Sequence, residues 1–267
     1  MLWRGIEIEP QWVALALLLI AVTLGRGTLF IFDWLPFLVL FFAYEVMRGF
    51  AAKTGFASHD IAPLEKGLFG GALPTVDLQH AFYDVHTIRF WDWIAIGLYF
   101  LHFPLPMVVG FLFWIRSREH YWRFIAALLL MCFVAFVTYL FVPTTPPWLQ
   151  YPNLIHKVTN ETVEKWGVAY FISPLYTRLN PNQFAALPSL HAAFPFLCVL
   201  YCWRRYLALA AALAVYTVCV WLAIVYLGEH YFVDALAGVV YAIAAMAVVE
   251  LVARRMVSPV RRATPVS

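Results

Sequence analysis

The sequence predicts an all-α integral membrane protein, a bundle of six or seven transmembrane helices with interfacial amphipathic segments, and three observations carry that prediction. Apolar residues fill 64% of the 267 positions and charged residues only 12%, with a mean hydropathy of +0.78. A water-soluble core of this length does not call for so much apolar surface. The apolar residues gather in runs of about 20, the length that crosses bilayer hydrocarbon. The arginines between the later runs fall in alternate connections, as they do when those connections share one membrane face.

Residues 1–50 hold one or two membrane segments. Gln11 to Leu24 is apolar but short, Gly25-Arg26-Gly27 interrupts it, and Trp34 to Met47 is a second run containing Pro36. Either an interfacial piece precedes one span, or the two runs form a tight hairpin. No positively charged lead precedes the first run, which argues against a removed signal peptide. Residues 51–92 break the pattern: Lys53, Glu65, Lys66, Asp77, Asp84 and Arg89 are mixed with Phe56, Leu64, Leu68 and Phe69, as in amphipathic pieces lying on a non-cytoplasmic membrane surface. His59, His80 and His86 are too irregularly spaced for a metal site and read as solvated or capping histidines.

Residues 93–252 form the catalytic transmembrane core. Trp93 to Trp114 and Phe124 to Phe141 read as two clean spans joined by Arg116, Arg118 and Arg123. His102 lies about a dozen ångströms below Trp93 at the helical rise, a depth at which a polar side chain faces the bundle interior, so it is a candidate site contact. The polar loop 142–187 contains six prolines and immediately precedes a further run, Ser189 to Trp203. Loops of this length inside compact domains tend to be functional or lid-like. Leu207 to Leu227 and Tyr231 to Val252 complete the spans, and 253–267 is a basic cytoplasmic tail. Nine of the fourteen arginines then share the cytoplasmic face. Cys132, Cys198, Cys202 and Cys219 lie in apolar runs without CxxC pairing and read as packing residues. No basic run interleaved with aromatics points to nucleic acid.

Chemistry concentrates at two span ends. His230 and Asp234 lie one helical turn apart, so the carboxylate can hold the imidazole. His191 stands 39 residues upstream, and the two runs between them bring it back to the same face. A His held by an Asp can attack phosphorus, and a second His can protonate the departing oxygen, which suits phosphoryl transfer without a metal or other cofactor. The helix openings at Ser189 and Leu190, and again at His230 to Asp234, are expected to offer free backbone amides to phosphate oxygens.

Pro188-Ser189-Leu190-His191 and Tyr226-Leu227-Gly228-x-His230-x-x-x-Asp234 resemble the second and third signatures of the type 2 phosphatidic acid phosphatase superfamily. Tyr139 to Trp148, with Asn182 to Leu187 running into Pro188, is similar to its inositol phosphorylceramide synthase branch. The resemblance covers roughly residues 93 to 250. It implies His230 as nucleophile, Asp234 as the group that orients it and His191 as general acid, with a lipid phosphate or phospholipid as substrate and water, an alcohol or a second lipid as acceptor. It departs at Ala223-Ile224, where the third signature has Ser-Arg, at Leu190, where the second has Gly, and in the missing Lys and Arg-Pro of the first. Arg178, Lys157 and Arg89 are the candidates to replace that phosphate cradle.

Other classes fit less well. A zinc hydrolase would take His191, His230 and Asp234 as ligands and Glu229 as base, but no helix carries an HExxH-like pair. For Glu229 an interfacial carboxylate without a catalytic role is the plainer reading. A transporter keeps its ionisable groups near mid-membrane and shows repeats; here they gather at one face and no repeat is evident.

Overall fold

The computed structural model describes residues 10–51, 55–166 and 182–262. Among them are twelve helices and no strand. α1 (Pro10–Thr23) and α2 (Gly27–Ala51) form the first pair. Fourteen residues rise only about 21 Å, so α1 is shorter than the hydrocarbon it borders, whereas α2 is long enough to cross it. Two short helices, α3 (Ala62–Leu68) and α4 (Pro74–Phe82), occupy the segment read as interfacial.

The run read as a span at Trp93 to Trp114 is broken within its length. It is two helices, α5 (Phe90–Leu101) and α6 (Pro104–Arg116), bent by 49° at His102-Phe103. Pro104 has no N–H to continue the ladder and its ring crowds the preceding turn. α7 (Arg118–Phe141) crosses back. The polar loop contributes α8 (Pro147–Gln150) and α9 (Val158–Lys165), and then come α10 (Leu190–Cys202), α11 (Leu207–Tyr226) and α12 (Phe232–Arg262). α2, α7, α11 and the Phe232–Met256 part of α12 are each long and apolar enough to cross a membrane, and the α5–α6 pair is a fifth if it crosses as one bent span. α1 and α10 are apolar but shorter, so the described residues hold four to five candidate spans against the six or seven read from the sequence.

Outward-facing side chains such as Phe32, Val215 and Val240 are large, apolar and exposed, as a lipid-facing surface requires. The interior is aromatic. Phe30, Trp34, Phe111, Trp114 and Tyr121 stack or meet edge to face where α2, α6 and α7 begin or end. Asp33 anchors this end: the Trp114 indole and Arg118 Nε donate to its carboxylate at 2.8 Å, and Tyr121 donates to its carbonyl at 3.1 Å. Arg26 donates to the Ile115 carbonyl, Arg123 pairs with Glu250, and Arg116 lies over Tyr206, so these arginines and Arg118 share one end of the bundle.

At the other end α12 crosses α10 at backbone contact. A Cβ on Gly238 would stand 2.5 Å from the Ser189 carbonyl oxygen and 3.4 Å from the Ala193 methyl. Gly238→Ala must push the two helices apart and is expected to destabilise the protein by about 1–3 kcal/mol. A drop in melting temperature in detergent, against an unchanged value for Gly97→Ala, where a Cβ meets nothing within 4 Å, checks it.

Candidate active site

The end of α11 sets the first histidine. The Glu229 and His230 amides both donate to the Ile224 carbonyl, at 3.1 and 3.2 Å, after Gly228 has turned left-handed at φ +79°. Only glycine takes this helix-ending conformation cheaply, and here a Cβ would also lie 2.6 Å from the His156 carbonyl. α12 starts two residues after His230. Its third residue, Asp234, reaches back to the Tyr231 N–H at 2.8 Å, the acidic half of a capping box. The same oxygen, Oδ2, lies 3.3 Å from His230 Nδ1. Asp234 is wholly buried, and its other oxygen has no hydrogen-bond partner.

The start of α10 sets the second. Ser189 caps the helix, its hydroxyl accepting from the Ala192 N–H at 3.4 Å. His191 follows in the first turn, with Nδ1 3.1 Å from His230 Nε2. With the His230 Nδ1–H directed at Asp234, Nε2 is the bare nitrogen and His191 is the donor between the rings. His191, His230 and Asp234 thus form a line in which His230 uses both ring nitrogens. His102 belongs to the same cluster. At the α5–α6 break its Nδ1 bonds the Tyr99 carbonyl and its ring centre is 3.9 Å from that of His191, while Tyr99 stacks on His191 at 4.3 Å.

At the helix openings the Ser189 amide and those of Phe232 and Val233 have acceptors within the protein, while among the described residues no such acceptor is seen for the Leu190 amide. The Ser189 N–H donates to the Asp234 carbonyl at 3.0 Å, which takes it away from any phosphate. The Phe232 and Val233 amides at the α12 opening donate to the two oxygens of Glu65, each at 3.0 Å. A buried carboxylate from α3 holds the place in which a bound anion was expected, because buried amides at a helix start need an acceptor in the folded protein itself.

Of the cations named as a phosphate cradle, Lys157 lies with Nζ 3.9 Å from the Trp148 ring centre and has Glu229 as a charged neighbour; burial lowers its ammonium from the ordinary value, and Glu229 opposes that. Arg89 bonds Asp84 at 3.2 Å and covers Trp91. Arg178 lies outside the described residues. Glu229 is buried and accepts from the Thr159 hydroxyl at 3.1 Å. Among the described residues no group of three or more His, Cys, Asp or Glu is arranged to hold a metal ion.

The loop segments brace the opening of α10. The Leu187 N–H donates to Thr144 Oγ1 at 2.8 Å, the Thr144 N–H to the Phe184 carbonyl at 2.8 Å, and the Tyr139 hydroxyl to the Pro188 carbonyl at 2.7 Å. From α4, Gln79 donates to the His156 and Tyr226 carbonyls at 2.8 and 2.9 Å and accepts from the His156 N–H at 2.8 Å. Residues 55–92 therefore tie to the loop, the end of α11 and the opening of α12 through specific bonds, which their mixed composition did not reveal. Sequence reasoning also passed over Arg48. It pairs with Glu45 at 2.8 Å in the last turn of α2, one residue beyond the point where that apolar run was taken to end.

A family model described as the PAP2 superfamily matches residues 76–248. The chain belongs to the PAP2 superfamily. The chain is also similar to the phosphoinositol dihydroceramide synthase of Bacteroides thetaiotaomicron, with 30% identity over 226 residues, 77% of this chain and 72% of that protein. No solved structure matches. The PAP2 match takes in both histidines and Asp234 but begins after Arg48 and Glu65.

Thr144→Val keeps the shape and leaves the Leu187 N–H without its acceptor, at an expected cost of about 1–3 kcal/mol, read as a lower melting temperature. Glu65 supplies a pH test. Burial raises its carboxyl above the ordinary value of 4.5, its two amide donors lower it, and the Asp234 charge adds a smaller rise. The folded state keeps a proton that the unfolded chain releases, so this contribution to stability is full at low pH and declines as pH climbs through the raised value. Melting temperature should fall as pH is raised from the ordinary value of 4.5, a slope that Glu65→Gln flattens.

Proposed function

We propose that the protein is a metal-independent membrane enzyme that transfers or hydrolyses a phosphate-containing lipid headgroup, through a phosphohistidine-type intermediate on His230, at the non-cytoplasmic membrane face. PAP2 membership and the similarity to a named synthase support action on phospholipid phosphate. The observation that carries the mechanism is the line Asp234–His230–His191, at 3.3 and 3.1 Å. The collection of arginines at the opposite end supports the choice of face.

In the first half-reaction the lone pair on His230 Nε2 forms a bond to phosphorus while the bond from phosphorus to the lipid alkoxy oxygen breaks. That oxygen leaves with a proton from His191 in its imidazolium form, which becomes the neutral ring. Asp234 stabilises the positive charge that develops on His230 and keeps its tautomer fixed. In the second half-reaction His191 removes a proton from the acceptor hydroxyl, whose oxygen attacks phosphorus and releases His230. His230 is only 5% exposed and the cover from residues 55–92 and the loop limits water, which favours an alcohol delivered from the membrane over water as acceptor. The relative's name makes a phosphoinositol lipid and a ceramide-type alcohol the first donor and acceptor to try.

Purified protein in detergent should exchange headgroup between phosphatidylinositol and ceramide in the presence of EDTA. His191→Ala should lower the rate by about 10²–10⁴, Asp234→Asn by up to about 10⁴, and His230→Ala should abolish it. Activity that needs added metal, or that survives His230→Ala, overturns the mechanism; phosphate release without exchange moves the reading to hydrolysis.

A further inference from the structure

A phosphoryl group entering the line of histidines brings negative charge into a buried site, and that charge grows on its equatorial oxygens as the reaction proceeds. A preorganised cation is the usual remedy. The amides expected to serve are largely taken by Glu65 and Asp234, and the signature cations of the family are missing from their usual places.

Arg48 is placed to fill that need. α2 and α7 run in the same direction: the rings of Trp34 and Tyr121 stack 5.5 Å apart near their beginnings, and those of Tyr44 and Phe133 meet at 6.2 Å nearer their ends. Four residues beyond Tyr44 is about 6 Å of rise, which puts Arg48 level with the turn of α7 that holds Tyr139. The Tyr139 hydroxyl bonds the Pro188 carbonyl, three residues before His191. Arg48 also shares a helix face with Phe41, Tyr44 and Ala51, all buried, whereas Phe42, Val46 and Phe50 on the other faces are exposed. Its side chain is 13% exposed, so it points into the bundle instead of snorkelling to the headgroups. Its charge is close enough to act on His102, His191 and Tyr139.

We infer that Arg48 is the phosphate-binding cation of this enzyme, its guanidinium taking a non-bridging oxygen of the donor phosphate, with Glu45 as its partner when the site is empty. This rests on the phosphoryl-transfer reading above. A guanidinium suits the task because its fork of N–H groups can serve Glu45 and phosphate together. Arg48 lies outside the stretch that the PAP2 model matches, on a helix whose composition reads simply as a membrane span.

Orthovanadate, a phosphate mimic, tests this without knowledge of the donor. It should raise the melting temperature of the wild type in detergent and inhibit headgroup exchange. Arg48→Gln should lower kcat/KM about 100-fold and weaken inhibition by vanadate at least tenfold. Arg48→Lys should recover part of both, and Glu45→Gln should tighten vanadate binding. Because Arg48→Gln leaves Glu45 buried without its cation, the double variant Glu45→Gln/Arg48→Gln serves as the folding control and should remain insensitive to vanadate. Wild-type kcat/KM and vanadate sensitivity in a folded Arg48→Gln or double variant would overturn the assignment and leave the transfer reading intact. A wild type that neither exchanges headgroup nor responds to vanadate would overturn both. A vanadate response that disappears with Arg48 in a wild type inactive on every donor tried would support Arg48 and count against the choice of donor alone.

Discussion

One backbone hydrogen bond, from the Ser189 N–H to the Asp234 carbonyl at 3.0 Å, joins the openings of α10 and α12. It is possible only because Gly238 lets the two helices touch at the backbone. His191 rides on one of these openings and His230 immediately precedes the other, so the 3.1 Å separation of their rings depends on that joint. Asp234 takes part twice, its carbonyl holding α10 and its carboxylate holding the Tyr231 amide beside His230. Removing its charge would therefore disturb geometry as well as electrostatics.

The same construction changes how a phosphate could be held. Helix starts are anion sites when their amides face an open cavity. Here they are used inside the protein, by Glu65 at α12 and by Asp234 at α10, because amides buried under the cover of residues 55–92 need permanent acceptors. Those amides are lost to a substrate, which leaves a place for a side-chain cation. The proposal for Arg48 follows from that constraint: a charged group inside a membrane helix bundle is costly and is retained where it has work to do.

The bundle also separates two kinds of end. Asp33, Trp114, Arg118, Arg123 and Glu250 tie the arginine-rich end with ion pairs and indole bonds. The histidine end is tied by side chains bonded to backbone groups, among them those of Gln79, Thr144 and Tyr139.

Length and apolar content by themselves determined a helical membrane protein, since no soluble core takes so much apolar surface. The four-residue spacing of His230 and Asp234, and the two runs returning from His191, made the histidine line legible, because both follow from helix geometry along the chain. His102 was legible as an inward-facing polar residue, though not its ring contact with His191. The capture of helix amides by Glu65 and the packing that surrounds Arg48 were decided only by tertiary structure. Each depends on which distant segment packs alongside, and a residue's own neighbours in sequence carry no record of an acceptor 167 positions away, the interval from Glu65 to Phe232.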